Sequence, residues 1–294
     1  MGYLARLLGL AAIAALVVPA IPKPGFSQEE LSLTLTSPLL AQADSNSERR
    51  AEGDRLLELG NQQYQASEFQ AAIESWQQAL EIYREIGDRG GEGSSLNNVG
   101  SVYDSLGQYA EALDYYQRSL AIAQEIGDRS NEGSSLNNVG SVYFRLGQYA
   151  EALDYFQRSL AILQEIGDRG GEGTSLNNVG SVYDRLGQYA EALDYYQRSL
   201  AIRQEIGDRS GEGTSLNNVG GIYDSLGQYA EALDYYQRSL ATRQEIGDRG
   251  GEGGSLNNVG SVYFRLGQYA EALDYYRDRQ SLEELPVSAG SSLG

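Results

Sequence analysis

From Gly93 onward the apolar residues Leu96, Val99, Tyr103 and Leu106 recur at i, i+3, i+7 and i+10, one face of an α-helix, with polar residues on the other faces. Tyr109, Ala112, Leu113, Tyr116 and Leu120 trace a second such stripe. The two are joined by Leu106-Gly107-Gln108, and the second ends at Ile126-Gly127-Asp128. Gly107 and Gly127 suit the left-handed conformation that ends a helix, and Asp128 suits the cap of the next one. Helices joined so tightly pack antiparallel.

The pattern repeats in units beginning at Gly53, Gly93, Gly133, Gly173, Gly213 and Gly253, and the string "SLNNVG" stands at Ser95, Ser135, Ser175, Ser215 and Ser255. A fixed interval of this length predicts a solenoid or array. Neither helix of a unit can bury its stripe alone, so neighbouring units stack and the core runs along the array.

The ends of the chain depart from the repeat. Arg6 precedes an uncharged run whose apolar part, Leu7 to Val18, is too short to cross a membrane as a helix and is closed by Pro19 and Pro22. It reads as an export signal, with cleavage near Gly25-Phe26-Ser27 or at Ala41-Gln42-Ala43, where the apolar run Leu31 to Leu40 would serve the later site. An uncleaved membrane tether is the alternative. The expected organisation is residues 1–43 as export signal and linker, 44–52 as a short linker, 53–285 as a six-unit array with an incomplete last unit, and 286–294 as a disordered tail. In the first unit Trp76 stands where later units have Tyr116, and Tyr64 sits one residue late, as suits an end unit. In the last, the pattern holds to Tyr276, a helix is expected to continue to Leu285, and no dedicated cap is recognisable, which would suit a shortened array.

Composition removes whole classes of chemistry. With no His and no Cys among 294 residues, nucleophile systems built on His and zinc sites built on Cys and His are excluded. Lys23 is the only lysine and stands in no phosphate-loop motif. The net charge of −19 disfavours nucleic acid and anionic lipid, and favours a neutral or basic protein partner.

These residues resemble the tetratricopeptide repeat in its longer form, as in kinesin light chains and spindle-orientation adaptors, over about residues 53 to 285. Leu96, Val99, Gly100, Tyr103, Gly107, Tyr109, Ala112, Tyr116 and Leu120 fall on the family's signature positions. The resemblance implies an all-α fold, a right-handed α-solenoid of stacked antiparallel helix pairs. It also implies that Gly100 and Ala112 are the small pair where two helices approach, a contact whose filling costs about 1–3 kcal/mol. Ser119, Ser159, Ser199 and Ser239 replace the family's usual Ala, predicting a more polar helix contact. Gly93 and its counterparts also stand where the family has Ala, at about 1 kcal/mol of helix propensity each. The start of each first helix is therefore expected to fray, with Ser94 competing against Asp88 as the cap.

Three features imitate active sites. "GDRGGEGSS" from Gly87 is Gly-rich and enters a helix, but lacks the Lys and the preceding strand of a phosphate loop. Asp128, Ser130, Glu132 and Gly133 begin like a calcium loop, whose twelfth position is here Val139. Glu111 and Asp114 share a helix surface near Arg118 and fit a solvated face rather than an acid–base pair. No cofactor or metal and no catalysis is expected.

In "SLNNVG" packing accounts for Leu96, Val99 and Gly100 but not for the asparagines. Asn97, Ser101 and Asp104 form a second stripe at i, i+4 and i+7, which the resemblance places on the concave wall of the superhelix. Asn97, with Asn137, Asn177, Asn217 and Asn257, is expected to offer amide donors and an acceptor to a peptide backbone. Asn98, with Asn138, Asn178, Asn218 and Asn258, is expected foremost to bond between helices, and to a ligand second. The variable pair after each Tyr reads Asp104-Ser105, Phe144-Arg145, Asp184-Arg185, Asp224-Ser225 and Phe264-Arg265. Phe144 and Phe264 are candidate apolar anchors, the arginines accompany them, and Asp104, Asp184 and Asp224 are candidate receptors for Lys or Arg.

The expected function is a non-catalytic scaffold, exported to the periplasm or beyond, that holds an extended segment of another protein in its groove. Two alternatives stay open. Similar arrays are frequent in photosynthetic and other filamentous bacteria, where some precede a caspase-like CHAT protease domain, so the chain could be the sensor of such a system, acting in trans or shortened from a larger ancestor. Near-identical units could also stack between chains into a homo-oligomer.

Overall fold

The computed structural model describes residues 28–284, and side chains over 42–282. The apolar run Leu7 to Val18, the cleavage site at Gly25-Phe26-Ser27 and the tail fall on residues outside this range, whereas Leu31 to Leu40 and Ala41-Gln42-Ala43 lie within a helix. The chain divides into two units, Met1–Ala51 and Glu52–Gly294. Every described residue of the first unit is helical, including positions 44–51, where a linker was expected. No described helix is long and apolar enough to cross a membrane.

The helices are α1 (Gln28–Gln65), α2 (Phe69–Ile86), α3 (Arg89–Ser105), α4 (Tyr109–Ile126), α5 (Arg129–Arg145) and α6 (Tyr149–Ile166). They continue as α7 (Arg169–Arg185), α8 (Tyr189–Glu205), α9 (Arg209–Ser225), α10 (Tyr229–Glu245), α11 (Arg249–Arg265) and α12 (Tyr269–Glu284). From α3 on, each first helix packs on the second helix of its unit, and each second helix from α2 to α10 on the first helix of the next unit. First helices of successive units also approach closely, α3 with α5, α5 with α7, α7 with α9 and α9 with α11, whereas the backbones of successive second helices lie further apart and meet through side chains, as Tyr275 of α12 does with Gln237 of α10. The array is thus an all-α solenoid with first helices as its inner layer and second helices as its outer one.

Local chemistry sets the joints. Gly107 and Gly127 adopt φ of 72° and 71°. After the first, the amide of Gln108 donates to the carbonyl of Tyr103 at 2.8 Å, closing the helix end. At the start of α3 the Asp88 carboxylate accepts from the amide of Gly91 at 3.0 Å. Ser94 does not compete for the cap, because its hydroxyl donates to the carbonyl of Gly90 inside the helix. The Gly-rich stretch that imitates a phosphate loop is therefore a helix start, held further by ion pairs. Arg129 binds Glu132 in its own helix and Glu165 at the end of α6, both at 2.5 Å, and Glu132 is buried.

The core alternates between two contacts. Gly100 lies against the Tyr116 ring, where an added Cβ would stand 2.8 Å from two ring carbons. Ala112 instead faces forward and packs with Tyr116 against Val139 and Val142 of the next unit. The two small residues thus do not form one pair, since the aromatic ring occupies the gap that Gly100 opens. Ser119 is buried and donates to the carbonyl of Gly93 at 2.9 Å while sharing a hydrogen bond of 3.1 Å with Ser135. The polar helix contact expected there joins three helices, and Ser159, Ser199 and Ser239 repeat it.

The end units differ for visible reasons. Trp76 fills the Tyr116 position, buried, with its Nε1 donating to the carbonyl of Leu57 at 3.0 Å. In the last unit Tyr269 and Leu273 of α12 are exposed. Gly254 stands where earlier units have Ser94, Ser134, Thr174 and Thr214, and a Cβ there would meet nothing within 4 Å. Gly254→Ala is expected to stabilise the last unit by about 1 kcal/mol, measurable as slower amide exchange across α11.

Candidate peptide-binding groove

Asn97, Ser101 and Asp104 lie on α3 and recur on each later inner helix, save that Ser101 becomes Gly221 in α9 and Asp104 becomes Phe144 and Phe264. Successive inner helices meet with an offset of one residue beyond the repeat, so position 97 of one unit faces position 98 of the next. Asn138 Nδ2 donates to Asn97 Oδ1 at 2.9 Å, Asn178 to Asn137 at 2.9 Å, Asn218 to Asn177 at 2.8 Å and Asn258 to Asn217 at 2.8 Å. Asn98 closes the ladder against Asn61 at 3.2 Å, and Arg279 donates to Asn257 Oδ1 at 3.0 Å at the other end.

The ladder separates the asparagines by role. The second of each pair spends its amide donor on the neighbouring unit. The first spends one oxygen lone pair, and its own Nδ2 donates to no described protein atom, although the residue is only half-buried. An amide held by its oxygen presents its N–H groups in a fixed direction. Ser101 is committed elsewhere: its hydroxyl donates to the carbonyl of Asn97 at 3.1 Å and accepts from the Tyr116 hydroxyl at 3.2 Å. Burial pushes the Tyr116 hydroxyl up to about 12, so it stays protonated and can donate.

The variable pairs obey the same offset, and this corrects the expectation that all three acids are free to receive a ligand. Arg145 reaches back to Asp104 at 3.1 Å, and Arg265 reaches back to Asp224. Asp104 and Asp224 thereby already face a guanidinium within the chain, although burial still raises the Asp104 carboxyl against the charge of Arg145, and Arg145 and Arg265 are not free groove cations. Phe144 is half-buried and tilts against Tyr149 with ring centroids 5.7 Å apart, so part of its surface serves the fold. Phe264 tilts against Tyr269 and stays 57% exposed, which leaves it available as an apolar contact.

Asp184 differs from both paired acids. It has no hydrogen-bond or ion-pair partner among the described residues, because the position that carries Arg145 and Arg265 elsewhere is Ser225 here, whose hydroxyl donates to Gly221. Burial raises its carboxyl above the usual range, opposed by the charge of Arg185. A folded-state carboxyl raised above 3.8 keeps its proton longer in the folded chain, so it weakens folding above that range and ceases to do so below it. Asp184→Asn is expected to raise the thermal midpoint at pH 7 and to lose that advantage at pH 3, as parallel melts would check.

No group of three or more acidic residues among the described residues is placed to hold a metal ion. The calcium-like stretch is the capped start of α5, with Asp128 accepting from the amide of Asn131 at 3.0 Å. Glu111 and Asp114 lie on the exposed face of α4, where Asp114 pairs with Arg118 at 3.1 Å.

Helix pairs at this interval, closed by these glycines, also match a family model. The model of the tetratricopeptide repeat matches residues 55–125, 131–205 and 211–281. The chain is a tetratricopeptide repeat protein. No curated protein is detectably similar to it in sequence. Among solved structures it resembles BtubC (BKLC) from P. vanneervenii, with a TM-score of 0.62 at 19% identity, covering 85% of this chain and 98% of that one. A Rap protein complexed with Competence and Sporulation Factor gives 0.61 at 17%, covering 79% and 75%. A putative kinesin light chain of Podosopora anserina with nearly identical TPR-like repeats gives 0.54 at 19%, covering 64% and 93%. At these identities the likeness is one of fold. The TPR fold is in general a non-catalytic scaffold for protein interaction.

Proposed function

We infer that the TPR array holds an extended segment of another protein along its inner layer and performs no chemistry on it. The observation that carries this reading is the asparagine ladder, in which five first-position amides are fixed by their oxygens while their donors remain unclaimed. Spaced one per unit, they match what an extended main chain needs, a series of carbonyl partners without demand on side-chain identity. The Rap protein solved with Competence and Sporulation Factor supports the reading as a precedent of fold. The N-terminal run supports a scaffold that works outside the cytoplasm, and the net charge of −19 supports a neutral or basic partner. The protease-sensor alternative needs an effector domain with His and Cys, which this sequence does not contain.

Arg185 ends an inner helix and Gln197 lies on an outer one, and both are exposed. A photo-cross-linking residue at position 185 should capture a partner from an envelope extract, and one at position 197 should not. Capture from the outer position alone, or equally from both, would refute the groove. Capture of the chain itself from either would favour a self-associating array.

A further inference from the structure

We propose that the groove step between α7 and α9 is a receptor for one arginine side chain of the bound segment, with Asp184 as the carboxylate that takes it. The inference rests on the groove reading and specifies which side chain it selects. Its ground is a comparison inside the molecule. Three steps of the inner layer carry an aspartate at the same position, and in two of them a guanidinium from the following unit, Arg145 on Asp104 and Arg265 on Asp224, already lies against the carboxylate. These pairs show what that position accommodates. At the third step the incoming residue is Ser225, and the same half-buried carboxylate has no partner within the described chain.

Geometry limits the occupant to a long cation. Asp184 stands seven residues after Asn177 on one face of α7, about 10 Å along the helix. A segment whose main chain is held by the Asn177 amide can reach the carboxylate only with an extended cationic side chain. The planar fork of arginine also pairs with a carboxylate at more than one point, as a lysine ammonium does not. The preceding step sets Phe144 beside the position of Arg185, so the apolar and basic requirements of the segment fall in adjacent units.

The test uses two pools of peptides of about eleven residues, enough to span several unit steps when extended. One pool has a central arginine and the other citrulline, of the same shape without the charge, with all other positions randomised. On the immobilised chain the arginine pool should be retained about ten-fold or more over the citrulline pool at physiological salt. Asp184→Asn should abolish the preference. So should Ser225→Arg, which supplies the site with the guanidinium its neighbours have, whereas Asp104→Asn should leave it intact. Equal retention of the two pools, or a preference that survives Asp184→Asn, overturns the inference. Equal retention that disappears when the ladder donors are removed would overturn it while leaving the groove reading standing. Retention of neither pool would count against both.

Discussion

Replacing Gly180 by Val should destabilise the middle of the array by about 3 kcal/mol, the upper end of what overpacking costs. A Cβ at Gly180 would lie 2.8 Å from two carbons of the Tyr196 ring and 3.2 Å from a third. The ring cannot move aside, because it is buried with Ala192 against Val219 and Ile222 of the next unit and its hydroxyl donates to Ser181 at 3.1 Å. Helix propensity would by itself favour losing a glycine, so a net loss of stability identifies the close approach as its cause. Since each unit contacts only its neighbours, the damage should stay local: amide exchange should accelerate in α7 and α8 while the flanking units keep their protection.

The adjacent position supplies the control. Gly221 takes the place of Ser101 and Ser181, and a Cβ there would come no nearer than 3.6 Å, to the Tyr236 hydroxyl. Gly221→Ser should therefore stabilise by about 1 kcal/mol, restoring the acceptor that Tyr196 has in its own unit. Chemical denaturation of the two variants should move the midpoint in opposite directions. A Gly180→Val chain as stable as the wild type would mean that the helices separate without cost.

The repeat made most of the fold legible. Gly107 and Gly127, the stripes through Leu96, Val99 and Tyr116, and the Asp128 cap each pointed to a helix pair, and they agree because local propensity and stacking require the same pattern. What a single unit does not display is how its neighbour is offset. The repeat aligns Asp104 with Phe144 and Ser105 with Arg145, but only stacking reveals that position 104 faces position 145. For that reason Asp104 and Arg145 looked like two groove features when they are one ion pair. The ion-pair network of Arg129, Glu132 and Glu165, in which only Glu132 is buried, is hidden from a single unit for the same cause. Its signal was available in the recurrence of Arg, Glu and Glu at constant spacing in every complete unit. Ser119 was anticipated as a polar departure, but its bonds to Gly93 and Ser135 depend on three helices meeting at one point.

Changing Asn137 and Asn177 to Asp should cut partner retention about a hundredfold while leaving the array folded. Alanine would not separate these effects: it removes the oxygen that accepts from Asn178 and Asn218, at 2.9 and 2.8 Å, as well as the donor facing the groove. Aspartate keeps an acceptor for those donors and deletes only the N–H groups, so the ladder survives. Two lost main-chain hydrogen bonds are worth about 1–3 kcal/mol together, and an unpaired carboxylate facing a peptide carbonyl adds repulsion, so retention should fall by about a hundredfold. Asn178→Ala and Asn218→Ala should do the reverse. They remove the donors between units, lowering stability by about 1 kcal/mol each and leaving the groove-facing amides in place, with a smaller loss of retention. Thermal melts and retention measured on the same preparations would show the two sets crossing. If both sets lost stability and retention in proportion, the ladder would be a structural seam alone, and the binding surface would have to be sought on the outer helices or the exposed face of α12.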